Sequence, residues 1–195
     1  MSLLEAPDPV PHEYRPRLET ASFEDFYIQQ WPWLVRCLIA QAGDSRWAED
    51  IAQDTMLDAR EKWDQLLTYD RPDRWLLKVA IRRLRRMERK GRLGCLFSED
   101  DGSVAADLAA LAVSDAWIDR NLDLLAAIRT LPRRQAEVVV VHCIADFTLA
   151  ETGQILGFSE AAAKTHMQRA RRRLQELLET GQEDEENLLS EGQQE

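Results

Sequence analysis

Apolar residues along this chain recur with a helical period, in blocks separated by Pro, Gly and acidic stretches, and the pattern predicts an all-α protein. Phe23, Phe26 and Tyr27 start a first helix that Pro32 should interrupt. Trp33, Leu34, Cys37 and Leu38 continue its apolar face, and Gly43 ends it. Asp44 can cap a second helix running to about Leu66, with Ala48, Ile51, Ala52, Thr55, Met56, Ala59 and Trp63 as its inward stripe. After the turn Thr68-Tyr69-Asp70-Arg71, Pro72 opens a third helix that buries Trp75, Leu76, Val79, Ala80, Leu84 and Met87.

Between Gly91 and about Ala116 the composition shifts to Gly, Ser, Ala and the acidic cluster Glu99-Asp100-Asp101, as in a linker. The helical stripe returns with Trp117, Ile118, Leu122, Leu125 and Ile128. Pro132 suits the first turn of the next helix, and Val138 to Val141 with Ile144 form an apolar run fit for burial. Thr148-Leu149-Ala150-Glu151 reads as a capping box, in which hydroxyl and carboxylate each satisfy an unpaired N–H at a helix start. Ile155 and Leu156 close that short helix and Gly157 can end it in the left-handed conformation. Ser159 caps a last helix with Ala163, Met167, Ala170, Leu174 and Leu177 on one stripe. Two helices across a tight Gly-containing turn make a helix-turn-helix.

This divides the chain into a mobile, Pro-bearing arm (1–21), a first helical domain (22–92), a flexible linker (93–115), a second helical domain (116–179) and a disordered acidic tail (180–195). No apolar run approaches the ~20 residues that span a bilayer, and the first residues do not form a signal peptide. A cytoplasmic protein without membrane contact is expected. Three distant cysteines (Cys37, Cys95, Cys143) do not make a disulfide framework, and His142 beside Cys143 has the wrong spacing for zinc. The sequence offers no nucleophile–base pair and no Gly-rich phosphate loop, so neither catalysis nor a cofactor is expected.

The net charge of −10 argues against a nucleic-acid binder until its distribution is considered. From Arg71 to Arg92 ten Lys and Arg stand against Asp73 and Glu88 alone. From Glu179 to Glu195 there are seven carboxylates and no cation. Local basic faces on an acidic chain allow DNA contact while weakening non-specific binding by the free protein, which points to work with a larger partner. Two surfaces fit DNA: the third helix, with Lys78, Arg82, Arg85, Arg86 and Arg89, and the last helix. There Ala161, Lys164, Thr165 and Gln168 lie where a recognition helix reads a major groove, and Arg169, Arg171, Arg172 and Arg173 suit phosphates. The second helix is different: Asp50, Asp54 and Asp58 recur every fourth residue, a repulsive row that could face a basic partner.

Three stretches in order carry a family resemblance. They are Ala48-Glu49-Asp50-Ile51-Ala52-Gln53-Asp54, then Trp75-Leu76-Leu77-Lys78-Val79-Ala80, then Leu131-Pro132 through Gln135 with Gln154-Ile155-Leu156-Gly157 to Arg173. With their flanks they cover about residues 22–92 and 116–178, and the chain resembles a bacterial RNA polymerase sigma factor of the extracytoplasmic-function group. The resemblance implies a region-two bundle and a region-four helix-turn-helix, and a protein that directs promoter recognition, melting and transcription initiation. It places Asp50, Gln53, Asp54 and Leu57 on core RNA polymerase, at the β′ coiled coil, with the β subunit also in the complex. It places Tyr69, Asp70, Arg71, Lys78, Arg82, Arg85, Arg86 and Arg89 on the single-stranded minus-ten element. Thr148, Ser159, Ala161, Lys164, Thr165, Gln168, Arg169, Arg171 and Arg172 would meet the duplex minus-thirty-five element, and an anti-sigma factor could clamp the same faces. The chain departs from the family pattern at Ala80-Ile81-Arg82 (Ala-Arg-Asn is usual), at Thr152-Gly153, where Gly costs up to ~1 kcal/mol of helix stability, and at Ala161-Ala162-Ala163. The last change suggests apolar or shape readout, such as contact with a thymine methyl. A stand-alone helix-turn-helix regulator is the competing reading.

Overall fold

A computed structural model describes residues 22–42, 45–89 and 121–191, with side chains described through Leu177. The N-terminal arm, the Gly43-Asp44 cap, the linker, Trp117, Ile118 and Cys95 lie outside the described residues. Those described are helical throughout. Helix α1 spans Phe23–Ala42, α2 Ser45–Glu61, the single turn α3 Trp63–Leu66, and α4 Pro72–Arg89. The second unit has α5 (Leu122–Thr130), α6 (Arg133–Val139), which runs into a π-helical turn at Val140–Ile144, then α7 (Leu149–Leu156) and α8 (Glu160–Glu191).

Local sequence accounts for most of these boundaries. Ser22 and Asp25 form a reciprocal cap at α1: the Asp25 N–H donates to Ser22 Oγ at 3.2 Å, and the Ser22 N–H to Asp25 Oδ2 at 3.3 Å. Contrary to the sequence expectation, Pro32 does not interrupt α1. The carbonyl that loses its helical partner to the missing N–H is that of Ile28, four residues back, a residue on the exposed side of the helix. Buried Phe26 on one side and Leu34 to Ala40 on the other hold both halves of the helix against one core. The expected second helix instead breaks at Lys62, and Trp63 starts a separate turn with its ring 5.5 Å from Phe23 and 5.2 Å from Phe26. Thr55, fully buried in α2, satisfies its hydroxyl on the Ile51 carbonyl at 2.6 Å. Cys37 is equally buried, and desolvation pushes its thiol up to about 12, as befits a core residue.

At the other end, α8 continues to Glu191, past the boundary near Thr180 expected for the second unit. The extension carries Glu183, Glu185, Glu186, Leu188 and Leu189, which favour helix, beside Gly181, which does not, and it contains no Pro.

The two units do not stand apart. Buried residues of α1, α2 and α4 form one continuous apolar cluster with those of α5, α6, the π-helical turn and α7. Trp33 of α1 lies edge-on to Phe147, ring centroids 6.4 Å apart, and Phe147 is 1% exposed. The π-helical turn lets the chain bulge there: the Ala145 N–H reaches the Val140 carbonyl five residues back at 2.8 Å, and Asp146 takes φ 58° before Phe147. Expectation and structure thus agree on two helical units and differ on their separation.

Candidate nucleic-acid interface

The helix-turn-helix forms as its local signals require. Thr148 Oγ1 accepts the Glu151 N–H at 3.2 Å, and Glu151 Oε2 accepts the Thr148 N–H at 2.9 Å, completing the capping box. Gly157 ends α7 at φ 85°, and Ser159 Oγ caps α8 through the Ala162 N–H at 3.2 Å. Gly153 has a role that its helix propensity hides. The turn folds back over it, so the Gly157 and Phe158 N–H groups both reach the Gly153 carbonyl, at 2.8 and 2.9 Å. A Cβ at Gly153 would sit 2.6 Å from the Phe158 carbonyl oxygen. Helix propensity alone would make Gly153→Ala stabilising by ~1 kcal/mol. Backbone overpacking reverses the sign, and we expect a net loss of roughly 1–2 kcal/mol. Chemical denaturation checks this, and a gain in stability would contradict the close approach.

On α8, Ala161, Lys164, Thr165, Gln168, Arg169, Arg171 and Arg172 are all exposed. Thr165 bonds its hydroxyl to the Ala161 carbonyl at 2.9 Å, and Arg172 reaches Glu176 at 3.6 Å in a solvated pair of little energetic weight. Thr148 and Ser159 are exposed as well, although both side chains serve as caps. Burial of Ala163 and Ala170 fixes the opposite face of α8 inward.

The cations of α4 divide between two faces. Arg82, Arg86 and Arg89 are exposed at helical spacing, with Lys78 half-buried one turn before Arg82. Tyr69 and Asp70 are exposed in the preceding loop, where Gln65 Nε2 donates to the Tyr69 hydroxyl at 2.9 Å. Arg71 and Arg85, expected to follow DNA, are instead engaged by the second unit. Arg85 grips Glu137 of α6 with two parallel bonds of 2.8 Å, in the fork geometry that suits a carboxylate. That bond holds the Arg85 guanidinium above its ordinary pKa despite burial. Arg71 Nη1 donates to Glu151 Oε1 at 2.8 Å while its guanidinium lies over the Phe147 ring at 4.8 Å. Arg74, which sequence reasoning left aside, joins Glu151 at 2.7 Å and Gln154 at 3.1 Å.

Glu151 therefore serves twice, as a helix cap through Oε2 and as an anchor for two arginines through Oε1. Burial opposes its ionisation. Hydrogen bonds from the Thr148 backbone, Arg74 and the Thr148 hydroxyl, with the Arg71 charge, outweigh that and hold its carboxyl below the usual value. Beside this contact Arg133 of α6 links Glu88 at 3.2 Å to Glu137 at 3.1 Å. Burial pushes the Glu88 carboxyl up.

Helix α2 presents a third face. Asp50, Gln53, Asp54 and Leu57 are exposed together at i, i+3, i+4 and i+7, and Leu57 keeps 53% of its surface in water. The repulsive row is partly relieved from within: Arg83 of α4 donates to Asp54 at 2.9 Å and to Asp58 at 2.6 Å, leaving Asp50 outside that bridge.

Comparisons with known proteins converge on one family. Residues 121–174 match the family model described as sigma-70, region 4. Over 159 residues the chain is 27% identical to an "ECF RNA polymerase sigma factor EcfG" of Rhodopseudomonas palustris (strain TIE-1), covering 82% of this chain and 86% of that protein. Among solved structures it is similar to the sigma factor RpoE of Bartonella quintana, solved in complex with the anti-sigma factor NepR. The TM-score is 0.62 at 25% identity, over 80% of this chain and 96% of that one. The chain carries a sigma-70 region-4 match and is similar along most of its length to extracytoplasmic-function sigma factors. The fold of this chain also resembles CnrH, solved in complex with the cytosolic domain of CnrY, with a TM-score of 0.57 at 20% identity over 81% of this chain and 88% of that one. Sigma factors act in transcription initiation, and the family is one of non-catalytic initiation factors. Among the described residues no helix is long and apolar enough to cross a membrane.

Proposed function

We propose that this sigma factor works in the cytoplasm, without catalysis of its own, by holding core RNA polymerase with α2 and promoter DNA with α4 and α8. The observation that carries this reading is the division of exposed charge among three helices. An acidic face with one exposed leucine lies on α2, and two cationic faces lie on α4 and α8. Asp50, Gln53, Asp54 and Leu57 form a helical face suited to a basic helical partner, for which we assign the coiled coil of the β′ subunit. Tyr69 and Asp70 with Lys78, Arg82, Arg86 and Arg89 form the minus-ten surface. There cations follow the strand while an aromatic offers a face to an unstacked base. Arg71 and Arg85 join that surface once released from the second unit.

The exposed side of α8 enters the major groove of the minus-thirty-five duplex. Lys164, Thr165 and Gln168 lie nearest the bases, Ala161 offers a methyl, and Arg169, Arg171 and Arg172 meet phosphates. Thr148 and Ser159 stand at the two helix starts, where backbone N–H groups favour phosphate. An anti-sigma factor, such as the one bound to the similar Bartonella protein, would compete for these faces.

Gel-shift titration of a promoter duplex separates this reading from a stand-alone regulator. The free protein should bind the duplex weakly, and a specific complex should form only after core polymerase is added. Tight, specific binding by the free protein at physiological salt would favour the regulator.

A further inference from the structure

We propose that Glu137 and Glu151 form a phosphate-mimicking clasp that holds the two units closed and withholds Arg74 and Arg85 of α4, with Arg71 of its entry loop, from nucleic acid. The proposal rests on the reading of α4 as the DNA-melting surface. The two carboxylates lie in the second unit, 52 to 80 residues away in sequence from the arginines they bind. Each meets its arginines as a nucleic-acid phosphate would: Glu137 takes the Arg85 fork through both oxygens, and Glu151 gathers Arg71 and Arg74 on one oxygen.

The contact divides α4 unevenly. Arg82 and Arg86 remain exposed and make no ion pair with other described residues, so the closed protein retains a partial footprint. Arg74 and Arg85 belong to the same helix and Arg71 to its entry loop. Opening the clasp would extend that footprint through Arg74 and Arg85, while Arg71 keeps its two bonds to Asp73, at 3.0 and 3.1 Å. Trp33 against Phe147, with Arg71 over the same ring, provides an apolar floor beneath the Arg71 side of the clasp. Helix α8 does not take part: Lys164, Thr165 and Gln168 stay exposed while the clasp is shut. The α8 surface is thus exposed in both forms, and full strand capture is available only in the open one. Binding of a larger partner that favours the open form would couple the two events.

The capping geometry supplies a clean test. Gln serves in a capping box as Glu does, so Glu151→Gln keeps the α7 start while removing the charge that gathers Arg71 and Arg74. The full-length Glu137→Gln/Glu151→Gln protein should give an expanded small-angle scattering profile relative to wild type. Its affinity for a fluorescein-labelled single-stranded oligonucleotide of mixed sequence should rise about tenfold, because apparent affinity scales with the fraction of protein that is competent to bind. Unchanged scattering and affinity, with helicity retained in circular dichroism, would overturn the clasp. If the double variant loses helicity, Glu151→Gln alone decides, and no gain in its affinity counts against the proposal. Arg82→Ala/Arg86→Ala in the same binding assay isolates the underlying reading. If those changes leave strand affinity untouched, α4 is not the DNA surface, whereas the scattering result judges the clasp independently.

Discussion

Replacing Asp50 and Asp54 by Arg should abolish co-purification with core RNA polymerase while leaving the protein folded. Both carboxylates are exposed, so neither substitution removes a buried contact. The one internal cost falls at Asp54, where Arg83 loses a partner at 2.9 Å but keeps Asp58 at 2.6 Å. A solvated pair of this kind contributes only ~0.2–1 kcal/mol, so the melting temperature should move by a few degrees at most. At an interface the effect is of another size. Two charge reversals against a basic surface substitute repulsion for attraction, and losses of roughly 2–5 kcal/mol per desolvated charge imply an affinity decrease above ~100-fold. Leu57→Ala should weaken the same complex without altering charge, because that apolar side chain is exposed at the end of the same face. Sedimentation or affinity capture with purified core measures both. Retention of the Arg variant at wild-type levels would remove α2 from the interface.

The second large effect concerns DNA. Arg82→Ala with Arg86→Ala should slow formation of the melted promoter complex and flatten its salt dependence. Each phosphate contact on a single strand contributes about −0.7 to the slope of log affinity against log salt, so losing two should reduce that slope by ~1.4. Stability should hardly change, since both side chains are exposed at the far side of α4 from buried Leu76, Ala80 and Leu84. Permanganate footprinting of the melted region across a salt series reads both quantities. An unaltered slope would take this face off the strand.

Local chemistry made much of the fold legible. The capping box at Thr148, the left-handed Gly157, the Ser159 cap and the Pro72 start each satisfy backbone groups within a few residues, so the sequence signal and the structure coincide. The stripe on α2 from Ala48 to Ala59 was equally readable, because one face of a helix is buried and the other wet. Three features were not legible. Pro32 passes through α1 because buried residues on both sides of it hold the two halves against one core, which depends on where the helix sits in the fold. Gly153 looks like a weak point in a helix until the returning chain is seen 2.6 Å from where its side chain would be. The pairing of Arg71, Arg74 and Arg85 with Glu151 and Glu137 spans 52 to 80 residues, and no periodicity connects positions so far apart. The sequence reading therefore found the basic helix and could not divide its cations between those open to solvent and those held by the second unit. A carboxylate at the capping position carries no sign that it also binds arginine.

The exposed faces on α2, α4 and α8 matter only if one protein uses them together on polymerase and promoter. Run-off transcription with purified core enzyme, a genomic promoter pool and the full-length chain tests that directly. Discrete transcripts that depend on both the chain and the core, and that disappear with the Asp50→Arg/Asp54→Arg protein, are the expected result. A chain that binds duplex DNA but yields no core-dependent transcript from any enriched promoter would contradict it.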